Sequence, residues 1–138
     1  MFSKIVVPVD LAHADKLDKA LRVAANLARE YDAEVCYIGV TPVTPSSLAH
    51  TPEEYAKKLT AFATQEADLR GIKTGSHMLV SHDPSAQMDR ELEKAVEDLG
   101  ADLVVAATHV PNVTDYVWSG HGAYLAAHSN ASVMVVRP

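Results

Sequence analysis

The chain has 138 residues, enough to bury one core and too few for two domains of ordinary size, so residues 1–138 read as a single domain. Nearly half the residues are apolar and 22% are charged; 12 Lys and Arg stand against 18 Asp and Glu, a net charge of −6 that excludes a basic nucleic-acid surface. No apolar run approaches a membrane span, Met1-Phe2-Ser3-Lys4 carries no secretory signal, and the single Cys36 forms no internal disulfide, so a cytoplasmic protein without membrane insertion is expected.

Ile5-Val6-Val7-Pro8-Val9 is a short β-branched run and reads as a buried strand. Asp10 follows directly. A carboxylate just past a central strand serves either a ligand at the strand ends or the turn itself, through bonds to loop amides. Asp15 to Tyr31 is helical: Leu17, Leu21, Ala24 and Ala28 recur at helical spacing, and Ala20, Leu27 and Tyr31 widen the stripe. Lys16, Lys19, Arg22 and Arg29 fall on a solvated face. Glu34 to Val40 is a second strand, ending in Gly39-Val40. Thr41 to His50 lacks periodicity and is a loop, either a crossover or a lid over a site.

Thr51 is placed to cap the next helix, with Pro52 in its first turn and Glu54 completing a capping box. Tyr55, Leu59, Phe62, Ala63, Glu66 and Leu69 trace that helix to a stop at Gly71. Lys73 to Val80 alternates in polarity, as an edge strand does. Ser81-His82-Asp83-Pro84 turns into a helix over Ser85 to Leu99, with Met88, Leu92, Ala95, Val96 and Leu99 as its apolar stripe. Gly100 ends it, and Asp102-Leu103-Val104-Val105 is the next strand.

From Ala106 the chain passes through a loop to the turn Ser119-Gly120-His121-Gly122, which opens a short helix over Ala123 to His128. A strand end followed by a glycine-containing helix start suits an anion, because the first helix amides lack partners and the helix dipole adds positive charge there. Ser132-Val133-Met134-Val135-Val136 is the last strand. Strands alternating with helices predict a parallel sheet covered on both faces, open and doubly wound. In such a sheet ligands bind at the carboxyl ends of the strands where the order reverses. If the first and fourth strands are neighbours, Asp10 and the 107–122 loop face one crevice.

Over essentially its full length the sequence resembles the universal stress protein family. The likeness begins with Ile5-Val6-Val7-Pro8-Val9-Asp10, continues through Ala101-Asp102-Leu103-Val104-Val105 and ends in Ser132-Val133-Met134-Val135-Val136-Arg137. It implies an adenine nucleotide alpha hydrolase-like fold, a five-stranded sheet in the order 3-2-1-4-5, and binding of ATP or AMP, with Mg2+ accompanying the triphosphate. The family's Gly-x2-Gly-x9-Gly-Ser/Thr pattern falls on Ala107, Val110, Gly120 and His121, so the spacing is kept while two glycines and the hydroxyl are lost. Thr108 to Tyr116 is similar to the TeaD-type members associated with solute transporters, which implies a membrane transporter as a partner.

By the same resemblance, Pro8, Val9 and Asp10 would meet adenine and ribose, and the Gly39-Val40 backbone would bond the adenine edge. Ala106 and Ala107 would line the sugar pocket, and Thr108, His109 and Val110 would form the phosphate loop. Ser119, Gly120, His121 and Gly122 would hold phosphates through backbone amides. Val110 precedes Pro111, which favours extended geometry, so that loop is expected to supply fewer amides than a glycine would allow. His109 and His121 are placed to compensate when protonated.

Seven histidines invite a metal reading, but no pair shows ligand spacing with a third ligand nearby, and no metal site is expected. Tyr116 and Trp118 either pack the last helix or touch a ligand. No nucleophile-and-base signature and no Walker loop are present, so no catalytic residue is named and slow nucleotide hydrolysis is only an outside reading. Two main readings follow: a stress-response regulator acting through nucleotide occupancy, and a nucleotide-independent interaction protein of the same fold. Both are homodimers through Val133, Met134, Val135 and Val136, a last strand whose open edge favours a second copy.

Overall fold

Short β-branched runs and longer amphipathic ones alternate along the chain, and the fold follows from that alternation. The computed structural model describes residues 1–81, 86–108, 118 and 120–138. Strands β1 (Lys4–Pro8), β2 (Glu34–Pro42), β3 (Lys73–Ser81), β4 (Leu103–Ala107) and β5 (Ser132–Val136) form one parallel sheet in the order β3-β2-β1-β4-β5. Helices α1 (Asp18–Tyr31), α2 (Pro52–Arg70), α3 (Ala86–Asp98) and α4 (His121–His128) connect them. The expected topology is the observed one.

Right-handed crossovers decide which helix covers which face. The chain steps outward from β1 to β2 to β3, so α1 and α2 share a face; it steps back through β4 to β5, so α3 and α4 share the other. The contacts agree. Arg70 at the end of α2 donates to Asp18 of α1 at 3.1 Å and, through its carbonyl, accepts from Arg29. On the opposite face the Tyr124 hydroxyl of α4 donates to Glu93 of α3 at 3.1 Å. Covered on both sides, Ile5, Val6 and Val7 of β1 and Val104 and Val105 of β4 are fully buried. Burying each such side chain contributes about 1.5–3 kcal/mol, which is why this central pair is written almost wholly in Val and Ile.

Three local expectations are corrected. The helix expected from Asp15 is preceded by a 3-10 helix over Leu11–Lys16, and α1 begins only at Asp18. Asp10 causes this, because its carboxylate accepts from the Ala12 amide at 3.1 Å and pairs with His13 Nδ1 at 2.9 Å. Thr51 does cap α2, accepting from the Glu54 amide at 3.1 Å, but Glu54 reaches the amide of His50 rather than that of Thr51, so the capping box is shifted by one residue. Leu69 is exposed instead of lying on the apolar stripe of α2, while Glu66 is buried against Arg70 at 2.6 Å.

Cys36 is buried in β2, and burial pushes its thiol pKa up, as befits a small core residue. β3 and β5 are the two edges of the sheet. On β5, Met134 and Val135 remain 40% and 42% exposed, so the last strand presents apolar surface at an open edge. Among the described residues no helix is long and apolar enough to cross a membrane.

Candidate functional site

The strand order reverses between β1 and β4, and the residues that end these strands build the site. Val9 continues past β1 far enough for its amide to donate to Ile38 of β2 at 2.8 Å. The Val9 carbonyl is then turned to a different donor: the Trp118 indole N–H bonds it at 2.8 Å. This bond joins the end of β1 to the residue just ahead of α4. Trp118 is 2% exposed, so its packing reading holds, and its bond fixes the geometry of the crevice as well.

Beyond that bond β2 runs on alone toward Pro42 on the β1 side. Backbone groups of a strand alternate in direction, so Val40 faces the same side as Ile38, toward the crevice. Tyr55, in the first turn of α2, lies over this stretch and is 3% exposed. Gly39 makes the approach possible: a Cβ there would stand 3.0 Å from the ring carbon Cε1 and 3.1 Å from Cζ, and nearer still to the hydroxyl. Burial pushes the Tyr55 phenol pKa up, the Asp10 carboxylate pushes it further, and a bond from the Val40 backbone opposes both.

Asp10 is buried beside these groups. It nucleates the 3-10 turn through the Ala12 amide, which is the turn-holding role read for it.

Across the crevice, Gly120 precedes α4 with φ +82, the left-handed region that glycine enters without strain. The His121 amide donates to the Trp118 carbonyl at 3.2 Å. Its imidazole is buried, with Nδ1 bonded to Asp89 of α3 and the ring edge on Trp118, centroids 5.5 Å apart. His121 therefore points into the α3–α4 contact. Gly122 lies against the strands, where an added Cβ would rest 3.4 Å from Ala106 Cβ.

Ala107 and Thr108 face α1. They share a shallow pocket with Lys16, Lys19 and Arg137, three cations beside the point where the chain leaves β4. The Thr108 amide donates to the Val136 carbonyl at 3.0 Å. His109, Val110 and Ser119 lie outside the described residues, as does Tyr116.

The structure thus sets Pro8, Val9 and Asp10 at the end of β1 beside Gly39 and Val40 of β2, and Ala106 of β4 against Gly122 of α4. Sequence reasoning missed Tyr55 and Asp89, while Lys16 and Lys19 are exposed, as the solvated-face reading has them. Tyr55 carried one signal, a glycine on the strand that its helix covers. Among the described residues no three His, Cys, Asp or Glu side chains converge as metal ligands.

The profile of the Universal stress protein family matches residues 1–137. Universal stress protein G of Shigella flexneri is 28% identical over 145 residues, covering 99% of this chain and 100% of the relative. Among solved structures, the universal stress protein of Archaeoglobus fulgidus in complex with dAMP superposes with a TM-score of 0.66 at 19% identity, over 96% of each chain. A universal stress protein family member of Arabidopsis thaliana with AMP bound gives a TM-score of 0.60 at 14% identity, over 98% of this chain and 90% of that one.

Proposed function

The chain belongs to the universal stress protein family, and from that premise we propose that it is an adenine-nucleotide-binding regulator that acts through occupancy rather than turnover. The observation that carries this is the Trp118–Val9 bond, which sets the start of α4 against the end of β1 at the switch point. Asp10 and the Gly120–Gly122 turn then face one crevice, a carboxylate for ribose hydroxyls on one side and a helix start for phosphates on the other. Lys16, Lys19 and Arg137 add positive charge beside Thr108. Solved members of the fold with dAMP and with AMP bound support an adenine base as the ligand's third part. ATP with Mg2+ is the fuller ligand, its metal carried in by the phosphates.

Binding is regulatory if it changes assembly or partner affinity, which requires the ligand to prefer one state. The open edge of β5 makes a homodimer the state to watch, with Val133, Met134, Val135 and Val136 pairing across it. Through the likeness of Thr108–Tyr116 to transporter-associated members, a solute transporter is the partner in this reading.

A second reading, a nucleotide-independent interaction protein, is favoured by Tyr55 over Gly39 and by Ala107 where the family pattern has glycine. Thermal unfolding separates the two. A ligand that binds only the folded form raises the midpoint with concentration. Adenosine nucleotides with Mg2+ are expected to raise it while inorganic sulfate at equal ionic strength does not; no rise with ATP, ADP or AMP supports the second reading. Light scattering is expected to give a dimer for the wild type and a monomer for Val135→Lys; a monomeric wild type removes β5 as the interface.

A further inference from the structure

β2 outruns β1, and its Val40 backbone is left facing the crevice beyond the last rung between them. An amide and a carbonyl on one residue present a donor beside an acceptor. A planar heterocycle with an acceptor beside a donor along its edge matches that pair. Gly39, just before it, has no side chain, so it is a flat floor on which a ring can lie. In this chain a ring already lies there. The phenol of Tyr55 rests against Gly39, its hydroxyl nearest, next to the Val40 backbone and almost wholly buried.

We propose that Tyr55 is an internal occupant of the base seat, and that a purine enters only when the phenol swings out. The proposal rests on the nucleotide reading above and adds to it a gate and a source of weak affinity. Tyr55 is carried by the first turn of α2, whose preceding loop is clipped to itself. The Ser46 amide donates to the Ala49 carbonyl at 2.8 Å, and Lys58 of α2 holds the Leu48 carbonyl. With the backbone held this way, rotation of the side chain opens the seat. A site that is open only part of the time binds with an apparent constant weakened by that fraction.

The test is a calorimetric comparison of wild type, Tyr55→Phe and Tyr55→Ala, each titrated with AMP and with inorganic pyrophosphate, which has no base. Tyr55→Phe keeps the ring and removes the hydroxyl that crowds Gly39 most closely; Tyr55→Ala empties the seat. Expected is an AMP affinity raised about threefold in the first and about tenfold in the second, with pyrophosphate unchanged. Equal gains for AMP and pyrophosphate mean general loosening and overturn the gate. Wild-type binding of AMP with no gain in either variant also overturns it, while leaving the nucleotide reading in place. No AMP binding by any form removes both. If Tyr55→Ala does not fold, Tyr55→Phe decides alone.

Discussion

Trp118 settles one of the choices that its sequence context left open. An indole before a short helix is equally a packing residue or a ligand contact, and nothing within ten residues of it in the chain decides. The partner that decides is the Val9 carbonyl, 109 residues away. Trp118→Phe keeps most of the packing but leaves that carbonyl without its donor, and a buried unpaired carbonyl costs about 1–3 kcal/mol. A urea midpoint lowered by that much is expected, and an unchanged midpoint contradicts the role assigned to the bond. Asp102 plays a similar part at the other end of β1. Burial would raise its carboxyl pKa, but the Ser3 and Lys4 amides, at 2.9 and 3.1 Å, and the Ser3 hydroxyl outweigh burial and hold it below 3.8. A carboxylate with a lowered folded pKa stabilises fully above its unfolded value and loses that contribution as pH falls through the folded one. Wild type and Asp102→Asn are therefore expected to differ in unfolding midpoint near neutrality and to converge below pH 3.8; a gap that stays constant with pH removes the linkage.

Helices were legible as far as periodicity reaches. The stripes of α1 and α3 are buried as read except at Leu27, Tyr31 and Leu99, which are partly buried, because a helix that covers a sheet shows its core face at regular spacing. Glu66 was placed on the stripe of α2 by spacing alone, and its burial has a cause that spacing does not contain. Arg70, one turn on, pairs with it at 2.6 Å and with Asp18 of α1 at 3.1 Å, so the two helices on that face are braced by ions. Tyr37 of β2 is buried beneath this pair. Removing one partner of a buried pair leaves the other charge poorly compensated, and Glu66→Ala is expected to cost about 3 kcal/mol, with Glu66→Gln costing less. Equal, small losses for both variants in chemical denaturation contradict the brace. The 3-10 helix after Asp10 escaped the reading for the opposite reason. It is nucleated by one side chain bonding two residues on, and a period of 3.6 carries no trace of it.

At the scale of the molecule the sheet order was legible, since strict strand–helix alternation and right-handed crossovers leave few topologies. That order sets the ends of β1 and β4 side by side, so the neighbourhood of the switch point was legible too. Its contents were not. Tyr55 over Gly39 and Asp89 on His121 join residues 16 and 32 positions apart in the chain, on different elements, and no spacing rule connects them. The account therefore stands on whether this crevice holds a nucleotide by its helix start. The most direct measurement is calorimetric titration of protein freed of co-purified nucleotide, with ATP and Mg2+ and then AMP, alongside Gly120→Val. Residue 120 sits at φ +82, a conformation that a β-branched side chain adopts only with strain, so the variant disturbs the turn proposed to receive the phosphates. The account predicts saturable binding by the wild type and an affinity at least about tenfold weaker in the variant, a loss of about 1.4 kcal/mol or more. No saturable heat with the wild type, at nucleotide concentrations into the millimolar range, contradicts it.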